Sequence, residues 1–263
     1  MKSLQRELAA TATFADDLGF DPAAVEIHEP ADLTDGLPPA RPDDDNPDLD
    51  PDAPVVVGVD QAFLTPEAGE SGHEEAVSAA VAIQGGVVIE YASARTALSI
   101  PYIPGLLAFR EGEPLLAALD ALDADPDLLV CDGSGRIHFR EAGIATHAGV
   151  LCDVPSVGVA KSLLCGTPAE PTQERPEGWR TPIRADASVE TDEAATSVIG
   201  HAYQSRQYPN SRRINPLYVS PGHRTSAETA TDLVELLCAG YKLPEPTRIA
   251  DAAADAAKRS VSV

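Results

Sequence analysis

Two aspartates close apolar runs in the same way: VVVGV (55–59) leads directly into Asp60, and DLLVC (127–131) leads directly into Asp132. A carboxylate at the end of a fully apolar strand is poorly placed unless it faces a crevice. In open α/β sheets that crevice lies beyond the carboxyl ends of the parallel strands. If the two strands are neighbours, the carboxylates sit side by side and resist joint ionisation unless a divalent cation neutralises them. An all-oxygen donor set without thiolate favours Mg²⁺, with Mn²⁺ as a substitute, over zinc. One aspartate at a strand end is commonly just a turn former or helix cap, and the argument rests on there being two. Glu111 and Glu113 both lie early in an expected helix, where the helix dipole favours acids, and composition does not choose between them.

Basic and imidazole groups fall near the same strand ends. His138 lies in a glycine-containing loop after Asp132 (DGSGRIH), flanked by Arg136 and Arg140. Lys161 follows the apolar SVGVA (156–160), in a chain whose lysines are only Lys2, Lys161, Lys242 and Lys258. His223 and Arg224 follow LYVS in SPGHR, and Arg206, Arg212 and Arg213 add a local basic stretch. Each alone also suits an ordinary loop. Together, at the ends of three strands, they suit an anion such as phosphate.

The elements that must position these groups follow from hydrophobic periodicity. A helix is expected over 3–19, then a proline-rich segment over 21–53 with eleven acids against Arg41 alone, read as a solvated or loosely docked stretch. Strands are expected at 55–59, 75–83 and 87–95, the last two forming a hairpin around Gln84-Gly85-Gly86, and further strands at 127–131 and 156–160. Helices are expected at 108–122 and 144–152, short strands at 198–203 and 217–220, and closing helices at 226–239 and 247–258. The polar stretch 167–195 reads as a surface insertion. Three consecutive strands followed by alternating helices and strands give an α/β fold: a mixed five-stranded sheet with helices on both faces, the plan of ribonuclease H. The organisation expected is an N-terminal helix and acidic segment over 1–53 and a catalytic domain over 54–263.

With 42 acids and 19 bases, the formal net charge is −23. Such a surface suits a protein kept hydrated in a salty cytoplasm, or one that binds a basic partner. It does not exclude nucleic acid, because concentrated salt screens the long-range field and leaves local basic patches effective. The four cysteines show no C-x-x-C pairing and sit in or beside apolar runs, which argues against a zinc site or a disulfide scaffold. No leader-like or membrane-length apolar stretch is present, so a cytoplasmic monomer is expected.

Several segments resemble the motif set of the endonuclease V family: VGVDQAF (57–63), PYIPGLLAFRE (101–111), DGSGRIH (132–138) with GIATH behind it, GVAKSLLCG (158–166) and YVSPGHR (218–224). The similarity runs in the same order over about residues 55–251. It implies a ribonuclease-H-like, Mg²⁺-dependent endonuclease that recognises hypoxanthine and nicks the second phosphodiester on its 3′ side, leaving 3′-hydroxyl and 5′-phosphate ends. It implies that Asp60, Glu111 and Asp132 hold the metal, choosing Glu111 over Glu113, and that His138, Lys161 and His223 are catalytic or contact phosphate. It further implies that Tyr102 is a wedge filling the gap left by an extruded base, with Pro104, Gly105, Leu107, Gly133 and Ile144 in the base-binding set. One departure is Phe139, where the family usually has proline. Deoxyinosine DNA and inosine RNA both remain open as substrates, as do one or two metal ions and which histidine transfers protons. A junction or hybrid nuclease on the same fold would share the carboxylates without needing PYIPG. A non-catalytic lesion-binding module would not need acids clustered beside phosphate.

Overall fold

In the computed structural model the described residues are 1–41, 49–65, 74–101, 103, 105–191, 197–208 and 215–261. The strands are β1 (Val55–Leu64), β2 (Glu75–Gln84), β3 (Val87–Ala97), β4 (Leu128–Asp132), β5 (Ser156–Ala160), β6 (Thr167–Pro168), β7 (Arg180–Arg184), β8 (Val198–Tyr203) and β9 (Leu217–His223). The helices are α1 (Lys2–Thr11), α2 (Leu107–Leu119), α3 (Ile144–Cys152), α4 (Ala227–Leu236) and α5 (Glu245–Val261).

All nine strands form one sheet in the order β3-β2-β1-β4-β5-β9-β8-β7-β6. Its first five strands are the expected ribonuclease-H-like set: β1, β2 and β3 form antiparallel pairs, while β1, β4 and β5 run parallel. β9 then adds antiparallel to the free edge of β5, and β8, β7 and β6 continue outward. The stretch read as a surface insertion supplies β7, where Thr181 and Ile183 are buried while Arg180, Pro182 and Arg184 are not. This period-two pattern is short and carries arginines, so composition hides it.

The central strands are apolar throughout because both faces are covered. Val56, Leu128 and Val130 pack with residues of α4 and α5 on one face. Val57, Val59, Leu129 and Cys131 pack with residues of α2 and α3 on the other. A smaller cluster around Ile137, Ile183 and Ile199 lies under the outer strands.

The N-terminal helix is shorter than expected and ends at Thr11, where Ala12 turns extended. The chain beyond it pairs with the end of β9, through Arg224 N–H donating to Thr13 O at 2.6 Å and Asp17 N–H to Arg224 O at 3.0 Å. The described part of the acidic segment is docked rather than merely solvated. Val25 and Ile27 are buried in the core, and Tyr91 Oη donates to Pro38 O at 2.8 Å. The Asp43-Asp44-Asp45 run lies outside the described residues. No helix among the described residues is long and apolar enough to cross a membrane.

Candidate active site

Register builds the site. The last β1–β4 partners are Val59 and Cys131, so Asp60 and Asp132 are the next residues on two adjacent parallel strands. β1 itself continues to Leu64, still paired with β2, so Asp60 lies within a strand at the point where its other neighbour ends. Asp132 pairs with Val159, which brings Lys161 to the same end of the sheet. Helix α2 delivers Glu111 and is fastened there by Gln61, whose Nε2–H donates to Glu111 O at 2.7 Å.

Asp60, Glu111, Asp132 and Lys161 line one cleft of about 380 Å³, together with Leu107, Gly133, Ser134 and Ile144. Gly133 makes the close turn out of β4 at φ +146°, and a Cβ there would meet Ile144 Cγ2 at 2.6 Å. Burial and then the Asp132 charge push the Asp60 carboxyl up to about 8, against the opposing effects of the Gln61 N–H and Lys161. Burial likewise pushes Glu111 up to about 7, with Arg110 opposing and Asp132 reinforcing the rise. Lys161 donates to Asp132 Oδ2 at 2.7 Å. Burial disfavours its ammonium, but Asp132, Asp60 and Asp251 together hold its pKa above the ordinary value.

This donor set fits a hard divalent cation. The carboxylates repel one another in a partly desolvated cleft, and Gln61 Oε1 is buried there without a hydrogen-bond partner among the described residues. Among the described residues, no group of three or more His, Cys, Asp or Glu side chains is already arranged to hold a metal ion. Lys161 instead serves as the counter-ion of Asp132.

The two histidines do not join this cleft. β9 runs antiparallel to β5, so His223 lies beside Ser156, at the opposite end of β5 from Lys161. There its Nδ1 accepts from Thr13 N–H at 3.1 Å, and Asp153 lies 3.6 Å from its Nε2. His138 is buried, with Nδ1 accepting from Arg140 N–H at 3.2 Å and a further hydrogen bond to the Gly105 backbone. Burial, with the Arg140 charge, pushes it down to about 4, so the ring is neutral at neutral pH. Gly105 is anchored beneath it at φ +75°. Tyr102, Pro104, Arg212 and Arg213 lie outside the described residues.

Two residues were not singled out in the sequence. Asp251, on α5, acts electrostatically on both Asp60 and Lys161. It reaches the site because the start of α5 lies directly on β1: a Cβ on Gly58 would meet Pro246 O at 2.0 Å. Lys242, in the α4–α5 loop, is half-buried and close enough to Lys161 that burial and this second ammonium lower its pKa. Its rarity as one of four lysines was the available signal.

A family model described as Endonuclease V matches residues 43–252. The Endonuclease V of Halobacterium salinarum is 55% identical over 254 residues, covering 95% of this chain and 90% of that protein. Among solved structures, the Streptomyces avermitilis Endonuclease V is 30% identical with a TM-score of 0.70, covering 100% of this chain and 93% of the other. The Ciona intestinalis Endonuclease V, in complex with a 24mer DNA containing an inosine followed by a ribo-adenosine, is 25% identical with a TM-score of 0.64, covering 99% and 95%. The match spans the strands and the α2 helix that carry the cleft, and the chain belongs to the endonuclease V family and is a nuclease, hence a hydrolase.

Proposed function

We propose that this protein is a Mg²⁺-dependent, inosine-directed DNA repair endonuclease that nicks the second phosphodiester 3′ to deoxyinosine, leaving 3′-hydroxyl and 5′-phosphate ends. The observation that carries this reading is the convergence of Asp60, Glu111, Asp132 and Lys161 on one cleft. The inosine-containing DNA bound by the Ciona relative supports the choice of lesion.

Asp60, Glu111 and Asp132 would hold the cation, with Asp251 as a further carboxylate beside it. A divalent cation supplies Lewis-acid polarisation of the scissile phosphate and a nucleophile from water at neutral pH. The protein's own part is positional and electrostatic. Lys161 is half-exposed and can exchange its carboxylate partner for a phosphate oxygen, neutralising charge that grows in the transition state. Lys242 extends the basic rim. His138 and His223 act from outside the cleft, the first by fixing the Gly105 turn and the second by fixing the strand end against Thr13. Leu107, Gly133 and Ile144 would receive the extruded base beside the carboxylates, with Tyr102, Pro104 and Gly105 forming the wedge loop. Extrusion costs a few kcal/mol, least for a mispaired base.

The protein would act as a cytoplasmic monomer, with residues 54–263 as the catalytic domain and 1–53 as an N-terminal helix and acidic segment whose described part is docked on it. The test is cleavage of three end-labelled substrates at high KCl with Mg²⁺: deoxyinosine duplex, inosine RNA and an adenine control. Nicking of the deoxyinosine strand one nucleotide beyond the lesion supports the reading. Exclusive cleavage of the RNA would make it an inosine-specific ribonuclease, and equal cleavage of the control would remove the lesion specificity.

A further inference from the structure

Helix α1 lies outside the matched family region of residues 43–252, yet it carries one side chain with no ordinary surface role. Gln5 is 0% exposed, although it sits on a ten-residue terminal helix that is mostly solvent-facing. Its amide is used at both ends: Nε2–H donates to Gly105 O at 3.0 Å, and Oε1 accepts from Arg140 Nη1–H at 2.9 Å. The guanidinium can only donate and the carbonyl can only accept, so the amide orientation is fixed by chemistry.

Gly105 is the last residue of the PYIPG loop before Leu106 and α2, and its backbone is left-handed at φ +75°, a conformation glycine adopts without strain. A Cβ there would meet Phe139 Cδ2 at 2.9 Å, so Phe139, the residue that departs from the family pattern, presses on the same turn. His138 adds its own hydrogen bond to the Gly105 backbone. Gln5, His138 and Phe139 thus meet at one turn, Arg140 holds the far end of the Gln5 amide, and of the four only Gln5 belongs to a different part of the chain. The geometry points to Gln5 as a positioning residue for lesion recognition, clamping the wedge loop through Gly105 without touching the carboxylate cleft. This inference rests on reading that loop as the part that meets the inosine.

The substitution Gln5→Glu keeps the length and the acceptor for Arg140 but replaces the donor facing Gly105 O with an acceptor. In the full-length protein at high KCl, the KM for a deoxyinosine duplex should rise about fivefold to tenfold, the scale of one net hydrogen bond. The saturated rate of scission should change by less than about twofold, because no group in the cleft is altered. Amide exchange should accelerate in peptides spanning 101–106 and stay unchanged in β1 and β4. Glu7→Ala, an exposed change on the same helix, should alter neither. Unchanged KM and unchanged loop exchange in folded Gln5→Glu protein would overturn the inference. So would a loss confined to kcat. If Gln5→Glu does not fold, Gln5→Asn, too short to span the two partners, is read by the same measurements. If the unsubstituted protein fails to nick deoxyinosine, the functional reading falls, while the exchange data still decide whether Gln5 holds the loop.

Discussion

At the scale of single residues, the cleft is defined by carboxyls that share a confined space. Asp60 and Glu111 are raised to about 8 and about 7, well above their unfolded values. The folded, cation-free protein therefore binds more protons than the unfolded chain between about pH 4 and about pH 8, and these groups make its stability fall as pH rises through that window. Melting in EDTA between pH 6 and 8.5 should show this decline, and Asp60→Asn should flatten it and raise the Tm by roughly 2 °C or more at the upper end. The same protons compete with a cation, so Mg²⁺ affinity followed calorimetrically should climb from pH 6 to 8 and then level off. Lys161→Ala should lower the single-turnover rate by about 100-fold or more, with a smaller loss in binding. Asp60 and Asp132 were legible in the sequence because apolar strands led into them. Glu111 was not, since the helix dipole explains it equally well, and only the PYIPGLLAFRE motif selects it over Glu113.

At the scale of elements, strand direction and helix docking decide which residues meet. His223 follows an apolar run just as Lys161 does, yet β9 is antiparallel to β5, so the two end up at opposite ends of the sheet. No local pattern in LYVSPGH encodes that direction. Asp251 illustrates the converse. On an alanine-rich amphipathic helix it reads as a surface acid, and it joins the site only because Gly58 lets Pro246 lie against β1. Gly58→Ala should therefore destabilise the fold by about 2–4 kcal/mol through overpacking and also depress nicking by displacing α5. Denaturant titration and single-turnover kinetics on the same protein would check both. If stability falls while nicking at low temperature is unaffected, Asp251 has no part in the site. The outer strands β6 and β7 were hidden by their polar, proline-rich surroundings, whereas the β1-to-β5 half was legible from its continuous apolar runs.

At the scale of the whole molecule, the net charge of −23 must be reconciled with a phosphodiester substrate. Screening shortens the reach of charge to about 3 Å at 1 M salt, so the acidic surface stops repelling DNA while Lys161 in the cleft, and Lys242 near enough to feel its charge, still act. The Tm should rise between about 0.1 and about 2 M KCl as self-repulsion is screened. Affinity for a deoxyinosine duplex should fall with salt along a log–log slope no steeper than about −4, as few phosphates are neutralised. A slope near −10 would indicate an extensive basic interface outside the cleft.

The most direct test of the central claim is single-turnover cleavage of a labelled deoxyinosine duplex with Mg²⁺ at high KCl, comparing the unsubstituted protein with Asp60→Asn and Asp132→Asn. The proposed function predicts a single nick one nucleotide 3′ of the lesion, and the carboxylate cleft predicts at least about a thousandfold slower cleavage by either variant, with folding intact. Undiminished nicking by either folded variant would contradict it.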